Sequence, residues 1–470
     1  MLPKSKLVCG SNVESSAARS YRTNIQPQNG TETYNAGDTI TINIPTRNNL
    51  VLVPEESLLK FTLTYTAGAA SDIIRIDSCG AHDRIRVWHG SNLLEDITAY
   101  GVLAKMMFNL QVPSDATYGK HNILSGARND LVVSMPSLVA ADFTDISGAA
   151  KFSAVKLSAN QVNSGMRISG DAVMANNDVK SQTFAINLIS LVGSLGSARY
   201  FPLFACTSAP LRVEITLVSS ALASACCSVA TTMTITNCEY IAQFIELNDT
   251  AMSIISNSQQ GQPIQYVVQD YRNYQYTAAL ANSTTTVTMP IPCKFASLKS
   301  IFVTARNNSQ ISTATYFPYS CNKFYISSYF FSIGAAILPS KAPDTVAKMF
   351  AEVCKSIASI SDLNHHPSIE FASYTIDVPT ANNDALNILA TATLNASNVN
   401  SGSFYVALDL ENYANSDKSQ IFAGWNSSTD DIYYIPTFNA NSTTPVVRFD
   451  AFVLFDSLLV FENNTCYVKY

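Results

Sequence analysis

Apolar and polar residues alternate along Thr39-Ile40-Thr41-Ile42-Asn43-Ile44, so Ile40, Ile42 and Ile44 share one face of an extended chain and Pro45 ends the ladder. This is the pattern of a half-buried strand. Thr286-Val287-Thr288-Met289-Pro290-Ile291-Pro292 repeats the Thr-x-Thr opening and the Ile-Pro close, 247 residues downstream (286 − 39). After each opening a further apolar strand is predicted, over 58–65 and 298–305, followed by strand-like runs at 84–89 and 324–333. In each half the spacing then turns helical. The first helix is predicted to begin near Asn92, with Asn92 as cap, Glu95 in a capping box, Asp96 in the first turn, and Leu94, Ile97, Leu103, Met107 and Leu110 on one stripe. The second is predicted near Asp344, with Val346, Met349, Phe350, Val353, Ile357 and Ile360 as its stripe, 252 residues after the first cap (344 − 92).

Each half continues with a long polar stretch, 112–200 and 382–443, and closes on strong strands, at Leu211–Leu217 and 234–247 in the first and at 446–461 and 466–470 in the second. Agreement in order, type and spacing points to a duplicated unit, which is stronger evidence than one short motif. The expected organisation is an all-β chain of two eight-stranded sandwiches in tandem, each with a short helix after its third or fourth strand and with long loops. The expected bounds are an N-terminal arm over 1–36, a first sandwich over 37–247, a linker over 248–262 and a second sandwich over 263–470. A chain of 470 residues exceeds what one core usually organises, in keeping with two domains.

Composition changes the picture at the surface. Hydrophobic residues make up 47% of the chain and charged residues 14%, against roughly 25% charged in an average soluble protein. Ser, Thr, Asn and Gln cover the outside instead, and faces with few charges need little desolvation when copies associate. The net charge of −6 and the lack of a long basic run argue against a surface built to grip nucleic acid. Residues 1–10 carry Lys4 and Lys6 without the apolar core of a secretory signal, and no apolar stretch of about 18 residues exists to span a bilayer. Ten scattered cysteines, including Cys226-Cys227, read as reduced and mostly buried thiols. The N-x-S/T sequons at Asn29, Asn248, Asn282, Asn307, Asn395, Asn426, Asn441 and Asn463 read as a by-product of composition.

Candidate chemistry is sparse. Neither a phosphate-cradling loop nor a dinucleotide turn is present, and the five histidines form no H-E-x-x-H pair. Cys79 with His82 could form half a metal site or a nucleophile pair, but no catalytic signature surrounds them. His365 and His366 point to opposite faces of an extended chain and suit a solvated turn. Glu95-Asp96 is explained by a helix start. Tyr266, Tyr271, Tyr274 and Tyr276 around Arg272 could stack bases, yet one arginine is little charge, and strands packing between subunits explain them better. No catalytic, cofactor-binding or metal residue is therefore assigned, no cofactor is expected, and the chain reads as a structural protein and not an enzyme.

Two passages carry a resemblance. One is Ile85-Arg86-Val87-Trp88-His89-Gly90-Ser91-Asn92-Leu93-Leu94-Glu95-Asp96-Ile97, with Tyr200-Phe201-Pro202-Leu203 before the strand Leu211–Leu217; the other is Tyr329-Phe330-Phe331-Ser332-Ile333-Gly334 followed by Leu338-Pro339 and the helix from Asp344. In ordered combination they resemble the double jelly-roll major capsid proteins of the adenovirus-hexon-like lineage, in particular those of virophages and polinton-like viruses. The resemblance covers most of the chain. It implies homotrimers with a pseudo-hexagonal outline that tile an icosahedral capsid around a DNA genome, with the virion as location and assembly inside the host cell. It implies as partners the chain itself, neighbouring capsomers, and penton and minor capsid proteins, without specific nucleic-acid recognition. The long polar stretches would be outer towers. The arm would lie beneath the shell, where Lys4, Lys6, Arg19 and Arg22 against Glu14 and Glu32 leave +2 (4 − 2), suited to an internal membrane or genome phosphates or to a solvated tail. Two other readings stay open: a secreted or surface carbohydrate-binding pair of β-sandwiches, a lectin or adhesin, and a glycosidase with two carboxylates in a cleft.

Overall fold

The computed structural model describes residues 18–30, 32–66, 80–113, 120–125, 179–196, 200–225, 232–280, 285–308, 319–358, 360, 367, 369, 371–375, 377, 402–411, 423–439 and 445–470. The first half contains β1 (Ala18–Ile25), β2 (Thr33–Asn35), β3 (Thr39–Ile44), β4 (Leu50–Leu52), β5 (Leu58–Thr66), β6 (His82–His89), β7 (Asn92–Thr98), β8 (Val179–Ile186), β9 (Leu211–Leu217) and β10 (Thr232–Leu247). Two four-stranded paths run through it, β1-β10-β5-β8 and β3-β9-β6-β7, with β2 and β4 added beside β10. The second half contains β11 (Ile264–Ala279), β12 (Met289–Ile291), β13 (Leu298–Asn307), β14 (Ile326–Ile333), β15 (Ala336–Leu338), β16 (Tyr405–Asp409), β17 (Ile432–Phe438), β18 (Val446–Glu462) and β19 (Thr465–Lys469). Its paths, β11-β18-β13-β16 and β12-β17-β14-β15, repeat the first pair strand for strand, with β19 added beside β18. Antiparallel sheets whose strands alternate between two layers in this order are jelly rolls, and the chain holds two of them.

The alternation that predicts each strand also builds each core. Ile40 and Ile42 of β3 pair with Ile215 and Val213 of β9, and all four side chains are fully buried. Leu59, Phe61, Leu63 and Tyr65 of β5 meet them from the facing sheet within one core cluster. In the second sandwich Met289, Ile291, Phe331 and Tyr434 face Ile301, Val303, Phe449 and Val453. Thr286, the opening of the repeat, makes only an isolated bridge to Thr437, and the regular strand starts at Met289.

Several boundaries differ from the sequence expectation. Asn92–Thr98 is the strand β7, hairpin-paired to β6 across Gly90 (φ +57°), and the first helix is Tyr100–Gln111. The second sandwich covers β7 through β11 and β19, so consecutive Leu94 and Glu95 are both buried. A strand covered on both faces loses its two-residue period and imitates helical spacing. The second helix is Val346–Lys355, capped by the Thr345 hydroxyl accepting from the Lys348 N–H at 3.4 Å rather than by Asp344. The helix starts are 246 residues apart (346 − 100), nearer the 247-residue repeat than the predicted caps. Counted along the two four-stranded paths, which leaves out β2 and β4, each helix follows the fifth strand of its jelly roll, where the sequence expectation is the third or fourth. Residues 18–25, expected in the arm, form β1 against β10, and residues 248–262 hold a helix, Asp249–Gln259, capped by Asn248 Oδ1 accepting from Ala251 N at 2.8 Å. Most of both expected towers, and Lys4, Lys6 and Glu14 of the arm, lie outside the described residues.

Candidate functional site

The two jelly rolls meet along a polar and apolar seam centred on the first helix. Nine of its 12 residues are buried, Met107 and Leu110 among them. The second sandwich supplies the cover: Tyr271 O–H approaches Met107 Sδ at 3.6 Å, Lys105 Nζ donates to Tyr319 O at 3.3 Å, and Asn109 Nδ2 donates to Ser403 Oγ at 3.1 Å and Tyr405 Oη at 2.9 Å. Beside the helix, Asn92 Nδ2 donates to Cys466 O at 3.0 Å, Cys466 N–H donates to His89 Nδ1 at 3.1 Å, and the Phe201 and Phe461 rings meet edge to face at 5.3 Å. Tyr319 O–H donates to Gly80 O across the same seam.

The duplicated elements differ in how far they are covered. The second helix buries only Met349 and Val353 of its ten residues. In β13 nine of ten residues are buried, whereas its counterpart β5 alternates between buried and half-buried positions over its whole length. The open face of β5 carries Lys60, Thr62 and Thr64, with Thr62 Oγ1 and Thr183 Oγ1 2.9 Å apart and Lys60 paired to Glu239. Each half therefore has the same two surfaces, a helix and an outer sheet face. Within one chain, one of each pair is covered and the other is left open.

The titratable side chains singled out by sequence are built into this framework. His82 is buried in the first core, edge-on to Phe61 at 5.0 Å, and Cys79 lies outside the described residues, as do His365 and His366. His89 is buried, with its Nε2 3.0 Å from Cys206 O and its Nδ1 3.1 Å from Cys466 N, so both ring nitrogens are engaged by backbone. Glu95 and Asp96 do not open a helix. Asp96 takes both donors of Arg84 at 2.7 Å each, while Glu95 is turned inward, accepting from the Ser190 hydroxyl and from Leu191 N at 3.0 Å. Burial and the neighbouring Asp270 hold the Glu95 carboxyl well above the usual carboxylate range. Among the described residues no group of three or more His, Cys, Asp and Glu side chains could hold a metal.

The tyrosine series makes contacts within the chain. Tyr271 is buried at the seam, Tyr266 stacks on Phe461 at 5.6 Å, and Tyr274 and Tyr276 lean on the second core. Arg272 spreads over the Phe295, Phe455 and Tyr470 rings, 5.2–5.9 Å from their centroids, which leaves no basic groove there. Sequence reasoning missed Asp270 and the buried pair Arg306–Asp450. The signal available was a charged residue at an inward position of an otherwise apolar strand.

No family model and no curated relative matches the sequence. Solved structures do share its fold. PBCV-1 VP54, in a crystal structure fitted into a cryo-EM reconstruction of the virophage Sputnik, superposes with a TM-score of 0.58 at 10% identity over 98% of this chain and 99% of that one. A quasi-atomic model of the PBCV-1 virus capsid gives 0.56 at 10% identity over 98% and 99%. The cryo-EM structure of the Sputnik virophage gives 0.51 at 9% identity over 97% and 88%. The likeness spans both sandwiches and the helix between them, so the tandem architecture is common to all.

Proposed function

We propose that this chain is a major capsid protein: a tile whose homotrimers form pseudo-hexagonal capsomers of an icosahedral virion around DNA. The observation that carries this reading is the unequal cover of duplicated surfaces. The seam inside one chain packs the first helix against the outer face of the second jelly roll. The second helix and the outer face of β5 are the matching pair, and both are open. A head-to-tail contact of the second jelly roll of one copy with the first of the next continues the internal seam, and such a contact closes into a ring when the rotation fits. Three chains give a ring of six jelly rolls. The likeness in fold to components of the PBCV-1 capsid and the Sputnik virophage points the same way.

The reading assigns a structural role and no catalysis. Its further partners are neighbouring capsomers and penton and minor capsid proteins. The segment before Ala18, with Lys4 and Lys6, is proposed to face the interior, toward a membrane or the genome.

Light scattering tests the proposal. The unmodified chain should have a mass near three times 50.9 kDa at micromolar concentration. Thr64→Arg on the open face of β5 and Ala347→Arg on the exposed side of the second helix should each give folded monomers. A monomeric unmodified chain whose melting temperature rises with a glycan would overturn the capsid reading in favour of a carbohydrate-binding one.

A further inference from the structure

Two acids are buried where the jelly rolls meet, one from each. Glu95 of β7 is 0% exposed and Asp270 of β11 is 1% exposed, and β7 and β11 pack against each other. The Glu95 carboxylate is held by the loop after β8, through the Ser190 hydroxyl and Leu191 N. Asp270 Oδ1 accepts from Tyr271 N at 2.7 Å, and its Oδ2 is buried with no hydrogen-bond partner among the described residues. A buried carboxylate oxygen without a donor is costly when charged and tolerable when it carries a proton.

The charges around the pair are already committed. On β7 and β6, Asp96 is tied to Arg84, and Arg86 to Glu214 at 3.0 Å. On β11, Arg272 is the one cation beside Asp270, and it is spread over three rings and donates to the Tyr470 hydroxyl at 3.3 Å. On β18, Asp456 stands opposite Gln269, not Asp270, and is paired with Lys299. On β19, Lys469 lies over the Tyr467 ring, and the loop 188–196 contributes only hydroxyls and backbone.

We infer that Glu95 and Asp270 form a pH-sensitive latch between the two jelly rolls, closed while the pair keeps at least one proton and loosened when both acids ionise. The inference stands on the seam alone and does not depend on the capsid reading. Burial pushes Asp270 up to about 7, and burial followed by the charge of Asp270 pushes Glu95 well above its ordinary range. Acids raised in the folded state add stability that is complete below their unfolded values. That stability is lost as pH rises through the folded ones, so the latch is tight in acid and loosens from about pH 4 to pH 7 and beyond.

Hydrogen exchange of the native chain, corrected for intrinsic rates, reads the latch directly. From pH 5 to pH 8 the opening constant at the amides of β7 and β11 should rise by about a hundredfold or more in the unmodified chain. In Asp270→Asn, which keeps the shape and the acceptor for Tyr271 N, the rise should be smaller by about tenfold or more, since only the buried Glu95 is left to lose its proton. Thermal melting gives a second readout: Asp270→Asn should melt above the unmodified chain at pH 8 and not at pH 4.5. Glu95→Gln should also flatten the profile if it folds. Equal pH slopes for the unmodified chain and Asp270→Asn, or a melting shift that is the same at both pH values, would overturn the latch.

Discussion

Asp450→Asn should be among the most damaging single changes in the second jelly roll. Asp450 is fully buried on β18 and accepts from Arg306 Nε at 3.0 Å and Nη2 at 2.7 Å through one oxygen, and from Arg448 Nε at 3.3 Å through the other. Arg306 and Arg448 are directly opposite one another across the β13–β18 ladder, so the carboxylate separates two like charges. Arg306 is itself only 3% exposed. Removing one partner of a buried pair costs about 3–5 kcal/mol, because the other charge stays buried without compensation. Arg448 reaches solvent and adds little on its own. The double change Arg306→Met/Asp450→Leu removes both buried charges and should cost less than Asp450→Asn, since apolar replacement of a whole pair is often close to neutral. The chain has two tryptophans, Trp88 in the first jelly roll and Trp425 bonded to Leu298 at the start of β13, so Trp88→Phe leaves fluorescence that reports the second sandwich. Urea unfolding in that background, at fixed protein concentration, measures both variants. An Asp450→Asn midpoint equal to that of the parent, or a double variant as damaged as the single one, would refute the reasoning.

Gly193→Ala should destabilise the chain by more than about 2 kcal/mol in the same urea assay, because its Cβ would stand 2.0 Å from Leu188 O in the loop that holds Glu95. Val213→Asp and Ile215→Asp bury a charge in the first core, so expression trials should yield insoluble or unfolded chain rather than folded monomers. Asn109→Ala removes two hydrogen bonds across the seam and should cost about 1–3 kcal/mol, seen as a lower melting temperature. Burial pushes the Cys206, Cys238 and Cys293 thiols up to about 12 and Cys321 to about 11, so peptide mapping after native alkylation at pH 8 should find them and Cys466 protected while half-buried Cys354 reacts.

The parts legible in the sequence are those where one face meets a core and the other meets water. Leu211–Leu217 alternates over its whole length and is a strand with those bounds, and β5, β13 and β18 lie within two residues of their predicted ends. Other parts are not legible: β8, β16 and β17 fall inside the polar stretches expected as long loops, and β7 meets a third surface. β7 is covered by the second jelly roll, so Leu94 and Ile97 imitate helical spacing, and Glu95, which that spacing marks as a capping residue, is a buried acid. β1 is exposed or half-exposed along its length, and Ala-Arg-Ser-Tyr-Arg-Thr-Asn-Ile gives little periodic signal for a strand held mainly by its ladder to β10. Asp270 was invisible because its meaning comes from a partner 175 residues away (270 − 95).

Electron microscopy of the purified unmodified chain tests the central claim most directly. Class averages should show single particles with a six-lobed, hexagonal outline and three-fold symmetry, each lobe one jelly roll. Uniform two-lobed particles at micromolar concentration, matching one chain of two sandwiches, would contradict it.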